Sequence, residues 1–314
     1  MFAYVLGRIL QAVPVLFLSS VAVFLVLRLV PGDPAESLAG ENATDERVAE
    51  IRVQLGIDKS IPRQYITWIT DLVRGDLGTS FRNGLPVSRL LKSSLPPTLE
   101  LAVVAYALAL SIGIPLGVLA GANPRSFWDW LLSGYTLVTI GIPSFLSGIL
   151  LLWIFSVVLG WFPTSGRVAF TEDPIDSLRH LALPAFALGT GLAAILARYT
   201  RTAVSEIMGH DYIRTAKAKG LSQRTVIVRH AMRNSLIPVV TIAALQVGGV
   251  MAGAVVVEQV FTRPGMGRLV VESIQNRDYL VVQSALVVLV TIFVGVNLVA
   301  DLAYGFLDPR VRRK

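Results

Sequence analysis

Six stretches of the chain stay apolar for about 20 residues at a time, the length a helix needs to cross the hydrocarbon core of a bilayer. They cover residues 9–29, 98–121, a third region ending near Trp161, then 181–197, 236–257 and 280–304. Backbone N–H and C=O groups in hydrocarbon find no water, so runs of this length are expected as helices, whose hydrogen bonds are internal. Composition agrees. The chain is 54% hydrophobic and 16% charged, where soluble domains carry roughly 25% charged residues. The expected fold class is an all-α membrane protein with six transmembrane helices.

The first run looks like a signal peptide, with Arg8 ahead of apolar residues. It is longer than the roughly 7–15 residues of a cleaved apolar region, so it is expected to remain as a span. Arg28 at its far end reaches the interface. Residues 127–161 are too long for one span and short for two, with Pro143 near the middle. Charge decides between them. Residues 198–233 hold eight Lys/Arg and two acids, Glu206 and Asp211, and the C-terminal run DPRVRRK is also basic. Basic loops stay cytoplasmic. Both termini and the 198–233 loop fall inside only if the third region crosses once. Residues 127–142 therefore read as an entry or interfacial helix. Trp128, Trp130 and Trp161 suit its two membrane interfaces.

This divides the chain into residues 1–30, the N-terminal segment and first span; 31–97, an external cap; and 98–314, a five-helix core. The core carries a cytoplasmic loop at 198–235 and an external loop at 258–279. In the cap, NATDERVAEIRVQLG predicts a helix ending at Gly56, and IPRQYITWITDLVRG one starting at Pro62. Tyr65, Ile66, Ile69, Leu72 and Val73 are expected to share the packed face of the second.

Several chemistries are missing. No G-x-x-x-x-G-K-[ST] loop occurs, so the chain has no recognisable means of binding ATP. It has no Cys and three His with no metal-ligand spacing between them, and no nucleophile–base arrangement, so no metal site and no enzyme activity are expected. The polar residues within the spans, such as Gln246, Gln283 and Asn297, suit interhelical hydrogen bonds or a solute path. Gly113, Gly117 and Gly121 fall four apart, as do Gly249 and Gly253. That spacing lets helices approach closely, within the chain or against a second membrane subunit. Pro115 and Pro143 are candidate kinks.

The basic loop has its own logic. A helix can continue from Arg198 to about Lys219, Gly220 can stop it in left-handed geometry, and Ser222 can cap the next helix. The apolar positions of that next helix include Val226, Ile227, Ala231 and Met232. A DNA-binding helix–turn–helix would be tied to the bilayer on both sides, so nucleic acid is not an expected partner. A lipid-facing basic loop and a rigid knob for a cytoplasmic partner both fit. With no ATP site in the chain, an ATPase is an attractive partner.

YIRTAKAKGLSQRTVIVRHAMRNSLIP closely resembles the cytoplasmic loop of dipeptide/oligopeptide permease subunits of bacterial ABC importers. LRLVPGDPAESLAG, LGIDKSIPRQYITWITDLVRGDLGTSF, LPPTLELA, VVEQVFTRPGMGRLVVESIQNRDYLVVQ and DLAYGFLDPRVRRK extend the resemblance over nearly the whole chain. They are similar to the dipeptide-permease-B-like member with a large external cap. In the general E-A-A-x-x-x-G pattern of ABC importers, Arg214, Thr215 and Ala216 take the E-A-A places and Gly220 the glycine. Arginine replaces the glutamate, which puts in doubt any salt bridge that would need it.

The resemblance implies a type I ABC importer permease in the bacterial inner membrane. It would carry dipeptides, oligopeptides, glutathione or nickel complexes. Its expected partners are a homologous second permease, two ATP-binding subunits, an extracytoplasmic solute-binding protein and membrane lipids. ATP and Mg would sit on the partner subunits, and this chain would bind no cofactor. The expected ATPase-coupling residues are Arg214, Thr215, Ala216, Ala218, Gly220, Leu221, Ser222, Gln223 and Arg224. Gln246, Val250 and Met251 are the candidate path lining. Glu258, Arg263, Arg268 and Arg277 are the candidate outer gate or docking surface, where the arginines either meet solute carboxylates or are surface charges. Two other readings stand beside this one: a membrane-anchored sensor or assembly protein, and a stand-alone secondary carrier.

Overall fold

The computed structural model describes residues 2–29, 33–40 and 43–307; the basic run 308–314 lies outside them. Helix α1 (Phe2–Leu29) is followed by three short helices, α2 (Pro34–Ala39), α3 (Asp45–Leu55) and α4 (Ile61–Val73). Then come α5 (Val87–Ala122), α6 (Phe127–Gly141) and α7 (Ser144–Leu151), which runs on as a π-helical stretch over Leu152–Val158. Next are α8 (Pro174–Met208), α9 (Asp211–Ala218) and α10 (Gln223–Thr225). A π segment at Val226–Ala231 leads into α11 (Met232–Val260), and α12 (Met266–Gln275) and α13 (Tyr279–Leu307) complete the order. Among the described residues there is no strand, only an isolated bridge between Thr79 and Pro86.

Among the described residues, five helical runs are long and apolar enough to cross a membrane: those of α1, α5, α8, α10–α11 and α13. α6 and α7 together make a sixth if the sharply bent pair counts as one span. Pro143 stands at that bend as the residue before α7, where its missing N–H costs no helical hydrogen bond. Pro115 breaks nothing, and α5 runs through it. The caps are chemical. Asp33, Thr44 and Asp173 each accept a backbone N–H at the start of a helix, and Gly56 closes α3 at φ +65°.

Two expectations need correction. The helix expected from Arg198 to Lys219 breaks at Gly209–His210, where α8 ends and α9 begins. The packed face of α4 is also narrower than predicted, since Ile66 and Val73 are exposed while Tyr65, Trp68, Ile69 and Leu72 are half-buried. Tyr65 and Trp68 turn to the aromatic ring of Phe24 instead, at centroid distances of 5.2 and 5.6 Å.

The chain forms two compact units. One comprises residues 98–263 with residues 2–6 and 295–307. Its axis is α8, buried on most of its length. Gly113, Gly117 and Gly121 of α5 lie against the α8 backbone: a Cβ built on them would stand 2.8, 2.5 and 2.5 Å from the carbonyl oxygens of Ala193, Ala197 and Arg201. The glycine stripe thus serves packing within the chain. α11 also packs on α8, and a Cβ on Gly253 would strike Leu188 at 2.6 Å. α6 is tied to α8 by Tyr135 Oη donating to the Thr190 carbonyl at 2.6 Å and by the Asp129–Arg201 ion pair at 2.5 Å.

The other unit comprises residues 7–97 and 264–294. Its core gathers Leu27 of α1, Val87 and Leu91 of α5, Met266 and Val270 of α12, and Val282 of α13. Ser80 Oγ, itself buried, donates to Asp278 Oδ2 at 2.5 Å and fastens the loop after α4 to the start of α13.

Candidate functional site

The corner between α9 and α11 is built from a small apolar interior and a polar exterior. Ile213, Ala216, Val226 and Ala231 are buried together, with Ile207 and Met208 packed against them. Gly220 sits at φ +80°, a region that side chains with a Cβ enter at a cost of about 1–2 kcal/mol. Its N–H bonds to the Lys217 carbonyl at 3.0 Å, and the Leu221 N–H to that of Ala216 at 3.4 Å, which closes α9 and reverses the chain. Ser222 then caps the next helix, its Oγ accepting the Thr225 N–H at 3.3 Å.

Two side-chain bonds brace the corner. Gln223 Nε2 donates to Asn123 Oδ1, just beyond α5, at 2.9 Å, and Asn234 Nδ2 donates to Tyr212 Oη at 3.0 Å. Arg214, Thr215, Ala218, Gly220, Leu221, Ser222 and Arg224 are exposed. Ala216 is not, and belongs to the interior of the knob. Arg214, which stands where the general pattern has glutamate, makes among the described residues an exposed pair with Asp211 at 3.3 Å, a contact of little energetic weight. The geometry is that of a stiff, cationic projection with one exposed leucine, Leu221, at its tip.

The four candidate outer residues fall in the two units. Glu258 and Arg263 belong to the first unit, Arg268 and Arg277 to the second. Glu258 and Arg263 are 0% and 1% exposed. Thr98 Oγ1 donates to Glu258 Oε1 at 2.5 Å. Arg263 Nη2 donates to Glu100 Oε2 at 2.8 Å, and Arg167 grips the same carboxylate through Nε at 3.0 Å and Nη2 at 2.5 Å. The result is a buried or half-buried set of two guanidinium and two carboxylate groups. Burial pushes the Arg263 guanidinium below its ordinary pKa, the neighbouring Arg167 adds to that, and Glu100 and Glu258 oppose it. The hydrogen bonds to Glu100 hold Arg167 above its ordinary value.

Sequence reading singled out neither Glu100 nor Arg167. The available signal was an ionisable residue at the start of a span, Glu100 in LPPTLELA, which demands a partner. Arg268 pairs with Glu272 one turn on at 2.6 Å, and Arg277 holds φ +53° in the turn before α13. Of the candidate path residues, Val250 and Met251 are buried within the first unit, and Gln246 is half-buried on α11.

Residues 113–313 match the family described as "Binding-protein-dependent transport system inner membrane component", and residues 1–102 match its N-terminal companion. The dipeptide transport system permease protein DppB of Alkalihalophilus pseudofirmus is 38% identical, over 99% of this chain and 100% of that protein. The glutathione transport system permease protein GsiC of Salmonella typhimurium is 42% identical over the full length of both. Among solved structures, an inward-facing form of the MetNI methionine ABC transporter aligns with a TM-score of 0.59 at 19% identity. It covers 70% of this chain and 97% of that one, and shows the shared fold.

Proposed function

The chain belongs to the family of inner membrane components of binding-protein-dependent transport systems, and from that premise we propose how it works and what it carries. It is a multi-pass permease subunit of the bacterial inner membrane that works with ATPase and binding-protein components. The proposed cargo is a di- or oligopeptide, or a peptide-like solute such as glutathione. The proposed assembly has this chain beside a second, homologous permease, with two ATPase subunits below and a solute-binding protein on the outer side.

The observation that carries the mechanism is the corner at Gly220: a braced, exposed, cationic knob with its own apolar interior. A docking element has to be stiff, because a floppy loop would absorb the movement of a partner rather than transmit it. Two ATPase subunits that close on ATP would pull such a knob on each permease, and the spans that leave it, α8 through α9 and α11 directly, would follow. Arg214, Thr215, Ala218, Gly220, Leu221, Ser222, Gln223 and Arg224 form the proposed contact, with Ala216 shaping it from within. Gln246, Val250 and Met251 remain the proposed path lining, reached when α11 moves on α8. Glu258 and Arg263 hold the outer end of α11 as part of the gate, and Arg268 and Arg277 face the docked binding protein.

The test is ATP hydrolysis by the complex that co-purifies with the tagged chain in mild detergent. An ATPase should come down with it, and hydrolysis should rise several-fold when a peptide-loaded binding protein is added. A folded, extractable chain with no hydrolysing partner would overturn this reading.

A further inference from the structure

In the unit formed by residues 7–97 and 264–294, two cavities of about 200 and 250 Å³ share Arg28, Gln64, Leu280 and Gln283 in their walls. Arg28, near the end of α1, gives its hydrogen bonds to neutral acceptors only. Nη2 and Nε reach Gln64 Oε1 at 2.7 and 3.2 Å, Nη1 reaches the Phe24 carbonyl at 2.9 Å, and the guanidinium lies 3.3 Å over the Phe24 ring. Among the described residues no carboxylate pairs with it. Gln283 of α13 lines both cavities, and its amide makes no side-chain hydrogen bond among the described residues. A half-buried cation without a counter-charge is costly, and the Gln283 amide beside it is open to the cavity and free to pair. Both point into one pocket, and both would be satisfied by an anionic oxygen there.

The rest of the wall narrows the ligand. Lys59 adds a second cation, and Asp71 and Asp76 add two carboxylates. A site with both signs of charge suits a zwitterion. The adjoining cavity is mostly apolar, with Leu27, Ile57, Ile61 and Phe81 in its wall. Further along the same three helices lies a third cavity of about 260 Å³, lined by Phe17 and Val23 of α1, Leu72 of α4, and Val287 and Val290 of α13. Along α1, Phe17 is about 16 Å from Arg28 at the rise of an α-helix. A polar mouth at the end of a span, with a separate apolar cavity further along that span, suits a phospholipid better than a free solute. A soluble zwitterion would have no use for the apolar cavity.

The geometry points to a bound phospholipid with an ethanolamine headgroup. Its phosphate meets Arg28, Lys59 and the Gln283 amide, its ammonium meets Asp71 and Asp76, and an acyl chain lies along α1 between α4 and α13. This inference rests on the membrane reading of the chain and is independent of what the transporter carries.

The test uses the full-length chain as purified in mild detergent, with whatever subunits accompany it, delipidated and titrated with dioleoyl phosphatidylethanolamine, phosphatidylcholine or phosphatidylglycerol. Retained lipid is read by native mass spectrometry. One phosphatidylethanolamine should remain on this chain, at least tenfold tighter than either of the others. Arg28→Gln and Gln283→Leu should each weaken it at least tenfold, and Asp71→Asn together with Asp76→Asn should remove the preference over phosphatidylglycerol. Gln283→Leu removes an unpaired amide, so its thermal stability without lipid should be unchanged or higher, and loss of the adduct there is not loss of the fold. Equal retention of all three lipids by the unaltered chain would overturn the assignment, as would undiminished retention in both single variants. So would displacement of the lipid by millimolar glycyl-leucine with the same dependence on Arg28, since the pocket would then be a solute site. None of these readings uses transport or ATP hydrolysis, so failure of the proposed function leaves the outcome intact.

Discussion

Arg263 shows how burial changes the meaning of a charged side chain. As part of a sequence it is one of several arginines after a span, equally readable as a surface charge; in the fold it is 1% exposed and joined to Glu100, which lies 163 residues away. Removing one partner of a buried pair leaves the other charge uncompensated, which costs about 3–5 kcal/mol where both are fully buried. Glu100 is 24% exposed at its side chain, so Arg263→Ala should fall at or below the lower end of that range, about 2–3 kcal/mol. The expected outcome is a clear drop in the thermal midpoint of the purified chain, by fluorescence-detected size exclusion, with Arg268→Ala close to unaltered. Arg268→Ala is the fitting control because its ion pair is partly exposed and one turn away on the same helix. A midpoint in Arg263→Ala equal to that of the control would show the network to be energetically idle. The charge of Arg263 was legible in the sequence, but its burial and its partner were not. Pairing at such separation is decided by how helices pack, and no local pattern encodes it.

Elements were easier to read where one physical rule dominates. A run of about 20 apolar residues has few alternatives to a helix, and Gly220 followed by Ser222 carries the chemistry of a stop and a start in three residues. The break at Gly209–His210 is marked only weakly, by Gly209 itself and by Asp211 opening the next turn: Gly209 has an ordinary φ of −80°, and His210 makes no side-chain cap. Two substitutions test the elements that were legible. At Gly220, Asn tolerates left-handed geometry and Val does not. Gly220→Asn should keep most of the stimulated ATP hydrolysis of the complex, whereas Gly220→Val should lose it about tenfold or more at normal expression, and equal activity in both would show that the corner's geometry does not matter. In α5, Gly117→Ala should destabilise the chain by about 1–3 kcal/mol, because the new methyl meets the α8 backbone and has no flexible neighbour to displace. Gly134→Ala in α6 is the control. A Cβ there meets nothing within 4 Å, so alanine's higher helix propensity should leave its stability unchanged or raised. A thermal midpoint for Gly117→Ala at or above that of Gly134→Ala would mean that α5 and α8 are not packed as described.

For the whole molecule, the remaining degree of freedom is which way it faces. Helix lengths and packing are the same in either orientation, so only the basic loops carry the direction. Residues 198–233, with eight Lys/Arg against two acids, should lie in the cytoplasm, and Lys59 between α3 and α4 should lie outside. The chain contains no cysteine, so a single introduced thiol reports without background. Lys59 and Lys219 are both exposed, which makes them suitable sites. In intact spheroplasts a membrane-impermeant maleimide should label Lys59→Cys and leave Lys219→Cys untouched, and in inverted vesicles stripped of peripheral subunits the preference should reverse. Labelling of Lys219→Cys from the outside would place the Gly220 corner on the wrong face for any ATPase. The coupling mechanism would then fail even though every helix was correctly placed, because a knob transmits force only on the side of the membrane where ATP is hydrolysed.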